Sequence, residues 1–283
     1  MVQGDLHKKE SLNALIDGAE ILIHLGASIA IDSGCKHRVL ETNIEGTRNI
    51  LQVMRQHDSV KRFIHFSSIH ALQNDPVDKP LDESRPLVIG DPVIYNHSKA
   101  TAEQLVLDEI KSGLDAVIIS PTAVIGPNDF GPSLLGQAII QMCNNTLPAL
   151  VSGGYDWVDV RDVVKGTISA IENGKTGERY LLSGNWESLS NLNLLIKEIH
   201  PTTKKLLVMP FWLAIIGAPF LKIWARILKK QPLYTRESIE ILKSGHRNIL
   251  SLKAEKYLDY TCRPLSETIR DTIEWFRLHS YIT

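Results

Sequence analysis

Over its first 185 residues the chain alternates short apolar runs with segments of helical spacing, and few architectures tolerate that alternation. Ile21-Leu22-Ile23-His24-Leu25, Phe63-Ile64-His65-Phe66, Ala116-Val117-Ile118-Ile119 and Arg179-Tyr180-Leu181-Leu182 are mostly apolar. Strands that face water on one side alternate apolar with polar; strands covered on both faces read as runs like these. Between them, residues 39–56 place Leu40, Ile44, Thr47, Leu51 and Met54 on one side of a helix. Residues 95–111 read as a second helix, and a third follows Trp157 to Val160. The pattern predicts an α/β fold, a Rossmann-like doubly wound parallel sheet with helices on both faces.

After about Gly184 the texture changes. Residues 192–199, 211–228, 235–242, 252–258 and 265–279 read as helical, with only 206–208 strand-like. The expected organisation is an incomplete dinucleotide-binding domain over 1–185, to which 128–154 contribute a substrate side. A smaller, mostly helical substrate lobe over 186–283 closes on it.

Composition sets limits on partners. A hydrophobic share of 43% with 22% charged residues is that of an ordinary globular chain. The formal net charge of −1 gives no basic stripe for nucleic acid, so none is expected as partner. Cys35, Cys143 and Cys262 form no CxxC pair or Cys/His cluster, so no metal is expected, and reduced thiols suit a cytoplasmic chain. No charged-then-apolar signal pattern opens the sequence. Residues 206–221 are uncharged and strongly apolar, but they carry Pro210 and Pro219 and fall short of the roughly 20 residues a spanning helix needs. Two readings fit: a buried helix, or a membrane-surface contact over 206–230 made basic by Lys222, Arg226, Lys229 and Lys230.

The chemistry concentrates in a few polar residues. Tyr95 and Lys99 lie four apart, so they project from one helix face. A phenol titrates near 10, and a neighbouring ammonium favours the phenolate. Ser67 and Ser68 follow the run ending at Phe66, at the carboxyl end of a strand, the edge where open parallel sheets bind ligands. A serine there can donate to a carbonyl oxygen while the tyrosine exchanges the proton. His70 could also face a substrate.

Taken in order, these residues resemble the extended short-chain dehydrogenases/reductases of the NAD-dependent epimerase/dehydratase superfamily. The dihydroflavonol-4-reductase-like and 3β-hydroxysteroid-dehydrogenase-like branch is the most similar. Gly4-Asp5-Leu6 resembles the strand end that reads adenine. Ile23-His24-Leu25-Gly26-Ala27 resembles the strand lining the cofactor, and Asn43-Ile44-Glu45-Gly46-Thr47 an N-V-x-G-T helix. Phe66-Ser67-Ser68, Tyr95 with Lys99, Pro121-Thr122-Ala123-Val124 and Trp157-Val158-Asp159-Val160 complete the series.

The resemblance implies that Ser68, Tyr95 and Lys99 are catalytic. It implies that Asp5, Leu6, His24, Gly26, Ala27, Asn43, Ser67, Tyr95, Lys99, Pro121, Thr122 and Val124 meet NAD or NADP. It further implies a small or moderately apolar hydroxyl or keto substrate, and a homodimer paired through the helices of Asn43 and Tyr95. Ile69-His70-Ala71-Leu72 after the serine is closer to the reductase branch than to nucleotide-sugar enzymes, and Phe211, Trp212 and Trp224 suit either an apolar substrate or ordinary core packing.

Two departures stand out. Ser120-Pro121 replaces the family's Arg-Pro, and the chain contains no G-x-x-G-x-x-G loop for the pyrophosphate. The opening Met1 to Leu6 is expected to be the fold's third strand, with on the order of 50 preceding residues missing by truncation or a downstream start. The strand at Ile21 would then lose a neighbour and expose an apolar edge. Two rival readings fit the same residues: a non-catalytic remnant or binding module, and a nucleotide-sugar epimerase or dehydratase.

Overall fold

In a computed structural model of the chain, residues 2–29, 36–215, 239, 242 and 245–282 are described. Cys35, Trp224, the basic residues of the 206–230 segment and most of the helix expected over 235–242 lie outside the described residues. The chain divides into two compact units. One comprises Met1–Pro121, Lys165–Leu182 and Leu250–Tyr260; the other comprises Thr122–Val164, Ser183–Ile249 and Thr261–Thr283. Residues 128–154, expected on the substrate side, fall in the second unit, and the two units interleave along the chain. Helix and strand segments from later in the chain return to complete the first sheet, and linear composition does not record such returns.

The first unit is built on a four-stranded parallel sheet: β1 (Ile21–His24), β2 (Arg62–Phe66), β3 (Ala116–Pro121) and β7 (Arg179–Leu182), side by side in that order. The register places His24 beside His65 and Ile64 beside Val117. Helices α1 (Lys9–Ile16), α3 (Gly46–Met54) and α4 (Ile94–Lys111) supply Leu12, Ile16, Ile50, Leu51, Val53, Met54 and Val106. These pack with Phe63, Ala116 and Ile118 in one core. Phe63, Ile64, Val117, Ile118 and Ile119 are all fully buried, as strands covered on both faces require. Helix α6 (Val160–Asn173), through residues 165–173, and helix α8 (Leu252–Leu258) belong to this unit as well. Gly166 lies against Leu182 and Tyr260, and Gly174 against Val117.

The helix expected over 39–56 is three pieces. A short α2 (Lys36–Leu40) runs into a π-helical turn at Glu41–Glu45 and then into α3. Periodicity registers the apolar stripe but not the wider turn, a feature frequent at functional sites. The opening residues are not a strand. Val2 to Asp5 are exposed, without strand pairing, and Asp5 begins the turn into α1: its Oδ1 accepts the His7 N–H at 3.0 Å and its N–H donates to Ser11 Oγ at 2.8 Å. A strand needs a partner edge, and residues 2–5 pair with none.

Among the described residues β1 is paired on one side only, with β2, and Ile21, Ile23 and Leu25 are 45%, 39% and 64% exposed. This is the apolar edge expected from the sequence, and unpaired apolar edges template association. Ile23→Lys should therefore reduce self-association in light scattering, with unfolding stability within about 0.5 kcal/mol of wild type. Equal scattering by the two proteins would remove β1 as the sticky edge.

The second unit mixes strands, most of them before residue 186, with helices. β4 (Ala123–Ile125) pairs in parallel with β6 (Gly154–Asp159), and β8 (Asn185–Ser188) runs antiparallel to β6. β5 (Leu150–Val151) pairs with β9 (Val208–Met209). Helices α5 (Leu134–Cys143), α7 (Leu189–Ile199) and α9 (Leu265–Leu278) pack around Trp157, with Ile139, Met142, Ile196, Ile273 and Phe276 in the core. No helix among the described residues is long and apolar enough to cross a membrane. In the 206–215 stretch Leu207 and Trp212 are exposed and Ala214 is buried.

Candidate active site

Helix α4 begins after Pro92, its entry shaped by Asp91 Oδ1 accepting the Val93 N–H at 2.7 Å, and ends where Gly113 adopts a positive φ of 104°. On it Tyr95, Lys99 and Glu103 recur every fourth residue and share a face. That face meets the carboxyl end of β2. Ser68 continues the strand in extended conformation and caps the 3-10 turn Ile69–Ala71, its Oγ accepting the His70 N–H at 3.2 Å. The Ser68 hydroxyl draws the pKa of the Tyr95 phenol down, against the effect of burial. The His70 ring stands edge-on to the Tyr95 ring, with centroids 6.2 Å apart. Ser68, Tyr95 and His70 therefore form one cluster at the edge where an open parallel sheet takes its ligand.

Lys99 lies immediately inside it. Its Nζ donates to the Phe66 carbonyl at 2.5 Å, and the side chain is buried. Desolvation lowers its pKa to about 8, against the opposing pull of Glu103. Tyr95 moves the other way from the sequence expectation. Burial holds the phenol above its ordinary value of 10, and only the Ser68 hydroxyl works against this. The ammonium is turned to the Phe66 carbonyl, so it does not act on the phenol as expected. Tyr95 is thus a neutral phenol, a proton donor near neutrality. Burial also lowers His70 to about 4, so its imidazole is neutral.

The other residues singled out from the sequence divide into three groups. Ser67 and Asn43 are turned inward. Ser67 Oγ donates to Glu103 Oε2 at 2.5 Å, committing its proton. Asn43, in the π-turn, clamps two segments. Its Oδ1 accepts the Ser28 N–H at 2.7 Å, and its Nδ2 donates to the Ser28 carbonyl at 3.0 Å and to Ser98 Oγ at 2.9 Å. His24 is buried too. Thr47 Oγ1 gives its proton to the Asn43 carbonyl at 2.7 Å, so it accepts from His24 Nε2–H at 3.1 Å, which fixes the tautomer.

Asp5, Leu6, Gly26 and Ala27 form a second group near the end of β1. Leu6 packs against both Gly26 and Gly46; a Cβ at either glycine would stand 3.0–3.1 Å from it. The Leu6 carbonyl accepts Asn49 Nδ2 at 2.8 Å. Pro121 ends β3 beside Leu182, whereas Thr122 and Val124 belong to the second unit, where Val124 pairs with Val158.

Glu103, Arg179 and His65 escaped the sequence reading. Glu103 was legible as the next residue on the Tyr95-Lys99 face. Nothing local marked Arg179 or His65. Arg179 pairs with Glu103 across 76 residues, and His65 is a buried strand residue whose ring nitrogens have no protein partner.

Residues 1–183 match the model of a family described as the NAD dependent epimerase/dehydratase family. The chain is 30% identical over 277 residues to Sterol demethylase protein B of Methylococcus capsulatus, spanning 97% of this chain and 84% of that one. It is 28% identical over 288 residues to a putative dihydroflavonol 4-reductase of Synechocystis, spanning 99% and 80%. The crystal structure of gox2253 superposes with a TM-score of 0.82 at 32% identity, covering all of this chain and 86% of the other.

Proposed function

Since the chain belongs to the NAD dependent epimerase/dehydratase family, we propose that it is an NAD(P)-dependent reductase or alcohol dehydrogenase acting on a moderately apolar hydroxyl or keto compound. The observation that carries this reading is the gathering of Ser68, Tyr95 and a buried Lys99 at the carboxyl edge of β2, with the His70 ring against Tyr95 and Lys99 Nζ on the Phe66 carbonyl. The two relatives named above support the substrate class. One is named for sterol demethylation and the other for dihydroflavonol reduction, both oxygenated ring systems without a nucleotide handle.

The residues fit the nicotinamide-ribose end of a dinucleotide. Lys99 spends one of three N–H groups on the Phe66 carbonyl, which leaves donors for a ribose diol. Tyr95 and Ser68 present hydroxyls for the oxygen that changes oxidation state. The pyrophosphate end has no glycine-rich loop within the 283 residues. When bound, the nicotinamide supplies or accepts the hydride.

The chain's own part in ketone reduction is proton delivery. Ser68 donates to the substrate oxygen and polarises it. Tyr95, held neutral, releases its proton as the oxygen becomes an alkoxide. Lys99, as ammonium, would hold the ribose with the donors that the Phe66 carbonyl leaves free. His70 contributes a neutral edge to the substrate side of Tyr95.

The first test is titration of the protein with NAD(H) and NADP(H) by thermal shift, then assay of reduced cofactor against a ketone panel. Saturable stabilisation by one cofactor and its oxidation by a ring ketone are expected. A cooperative melt that neither cofactor moves would favour a non-catalytic binding module. Turnover of a nucleoside-diphosphate sugar without net cofactor consumption would replace the reading with epimerase or dehydratase chemistry.

The reduction should also show an alkaline limb. Lys99 is depressed to about 8, so its charge is present below that pH and lost above it. In this reading kcat/KM for reduction is steady from pH 6.5 to 7.5 and declines through about pH 8. A profile flat to pH 10 would mean the Lys99 charge is not used.

A further inference from the structure

We propose that Glu103 is a positioning residue of this site: its buried carboxylate, anchored by Arg179, fixes the Phe66-Ser67-Ser68 strand end through Ser67 and keeps Lys99 an ammonium. The inference rests on the reading that Ser68, Tyr95 and Lys99 do the chemistry.

Glu103 has no exposed surface, and an ionised carboxylate holds such a position only with full compensation. Compensation is present on both oxygens. Oε2 accepts the Ser67 hydroxyl proton at 2.5 Å, and Oε1 accepts Arg179 Nε at 2.5 Å and pairs with its Nη2. Arg179 opens β7 and is itself braced by donating to the Glu83 carbonyl at 3.1 Å. The consequence falls on one peptide unit. The Ser67 side chain is held by Glu103, the Ser67 N–H by the Ile119 carbonyl at 2.8 Å, and the Phe66 carbonyl by Lys99. Ser68 is the next residue, so its hydroxyl inherits the placement. A chain held at three points immediately before a reactive group gives that group little freedom to drift, and small misplacements are expensive in rate.

The electrostatic part follows from what faces Lys99. From β1 comes His24 and from β2 His65, both neutral because burial lowers their pKa. From its own helix come Tyr95, neutral, and Glu103; from β7 comes Arg179, already spent on Glu103. Among these groups Glu103 is the one negative charge. It opposes the desolvation that would otherwise strip the proton from Lys99.

The test reads Lys99 directly, without cofactor. Trace acetylation by acetic anhydride from pH 6 to 10, quantified at Lys99 by mass spectrometry, gives its titration midpoint. Wild type should titrate at about 8. Glu103→Gln keeps an acceptor for Ser67 but removes the charge, and should move the midpoint clearly below that of wild type. Because that variant leaves a guanidinium unpaired, Glu103→Gln/Arg179→Gln is measured alongside, and its neutral pair should show the same downward shift. Glu109→Gln, which removes a carboxylate paired with Arg55 on the exposed side of α4, should leave the midpoint in place.

A wild-type midpoint in a cooperatively melting Glu103→Gln, or in the double variant, would overturn the proposal. Absence of cofactor-dependent turnover in the wild type would instead overturn the functional reading and leave the midpoints standing. If turnover is found, its alkaline limb should move down with the Lys99 midpoint, a coupling that a merely structural glutamate would not produce.

Discussion

Tyr95→Phe is expected to lower kcat/KM for ketone reduction by about 10²–10⁴-fold, the range lost when a positioned general acid is removed. The ring stays and the hydroxyl goes, so the edge-on contact with His70 at 6.2 Å is retained. The structural loss is confined to the polar interaction of the phenol with Ser68, at most about 1.5 kcal/mol. Activity and stability therefore separate: near-complete loss of turnover with a melting temperature a few degrees away at most. Ser68→Ala should behave alike but less severely, because it polarises the oxygen without supplying the proton. Ser67→Ala is the contrast. Its proton is committed to Glu103, so it should cost stability as well as rate. Steady-state kinetics and thermal melts on the three variants check the set. Wild-type turnover by Tyr95→Phe would end the assignment of Tyr95 as proton donor.

The second large effect is on acid stability. His24, His65 and His70 are all held neutral in the first unit by burial, His24 and His70 at about 4 and His65 well below its ordinary value. In the unfolded chain each titrates near 6.5. Between pH 6.5 and about 4 the unfolded state binds more protons, so stability present at pH 7 is lost as pH falls through this window. Each histidine contributes up to about 1.4 kcal/mol per pH unit there.

His65 offers the sharpest test. It is 1% exposed, neither ring nitrogen has a protein partner, and its ring packs at a tilt beside both His24 and Phe63. A buried polar group left without a partner costs about 1–3 kcal/mol. His65→Phe keeps a ring in this aromatic cluster and removes both nitrogens. It should raise unfolding free energy at pH 7 by about 1 kcal/mol and the gain should be larger at pH 5. Urea titrations at the two pH values measure both. An equal or smaller gain at pH 5 would show that His65 does not titrate on unfolding.

Much of this could be read from residue order. The strand runs at Ile21, Phe63, Ala116 and Arg179 became the four parallel strands because an apolar run flanked by helical segments has few other ways to bury both faces. Tyr95 and Lys99 shared a helix face because their spacing is one helical turn. The second unit was less legible. Its strands are two to six residues long and interleaved with loops, so their pairing partners, not their composition, define them. The Val2 to Leu6 segment shows the reverse failure: strand-like residues that find no edge to pair with.

The chain's residues alone determined its family, its parallel-sheet class and which hydroxyls and amine are candidates for chemistry, because those depend on local spacing and on motif order. Tertiary structure decided their states. It turned Ser67 inward to Glu103 and left Ser68 to Tyr95. It directed the Lys99 ammonium to the Phe66 carbonyl and so left the phenol protonated. It also joined Glu103 to Arg179 from a distant strand. Protonation and orientation follow from burial and from neighbours brought together by folding, and neither is written in sequence order.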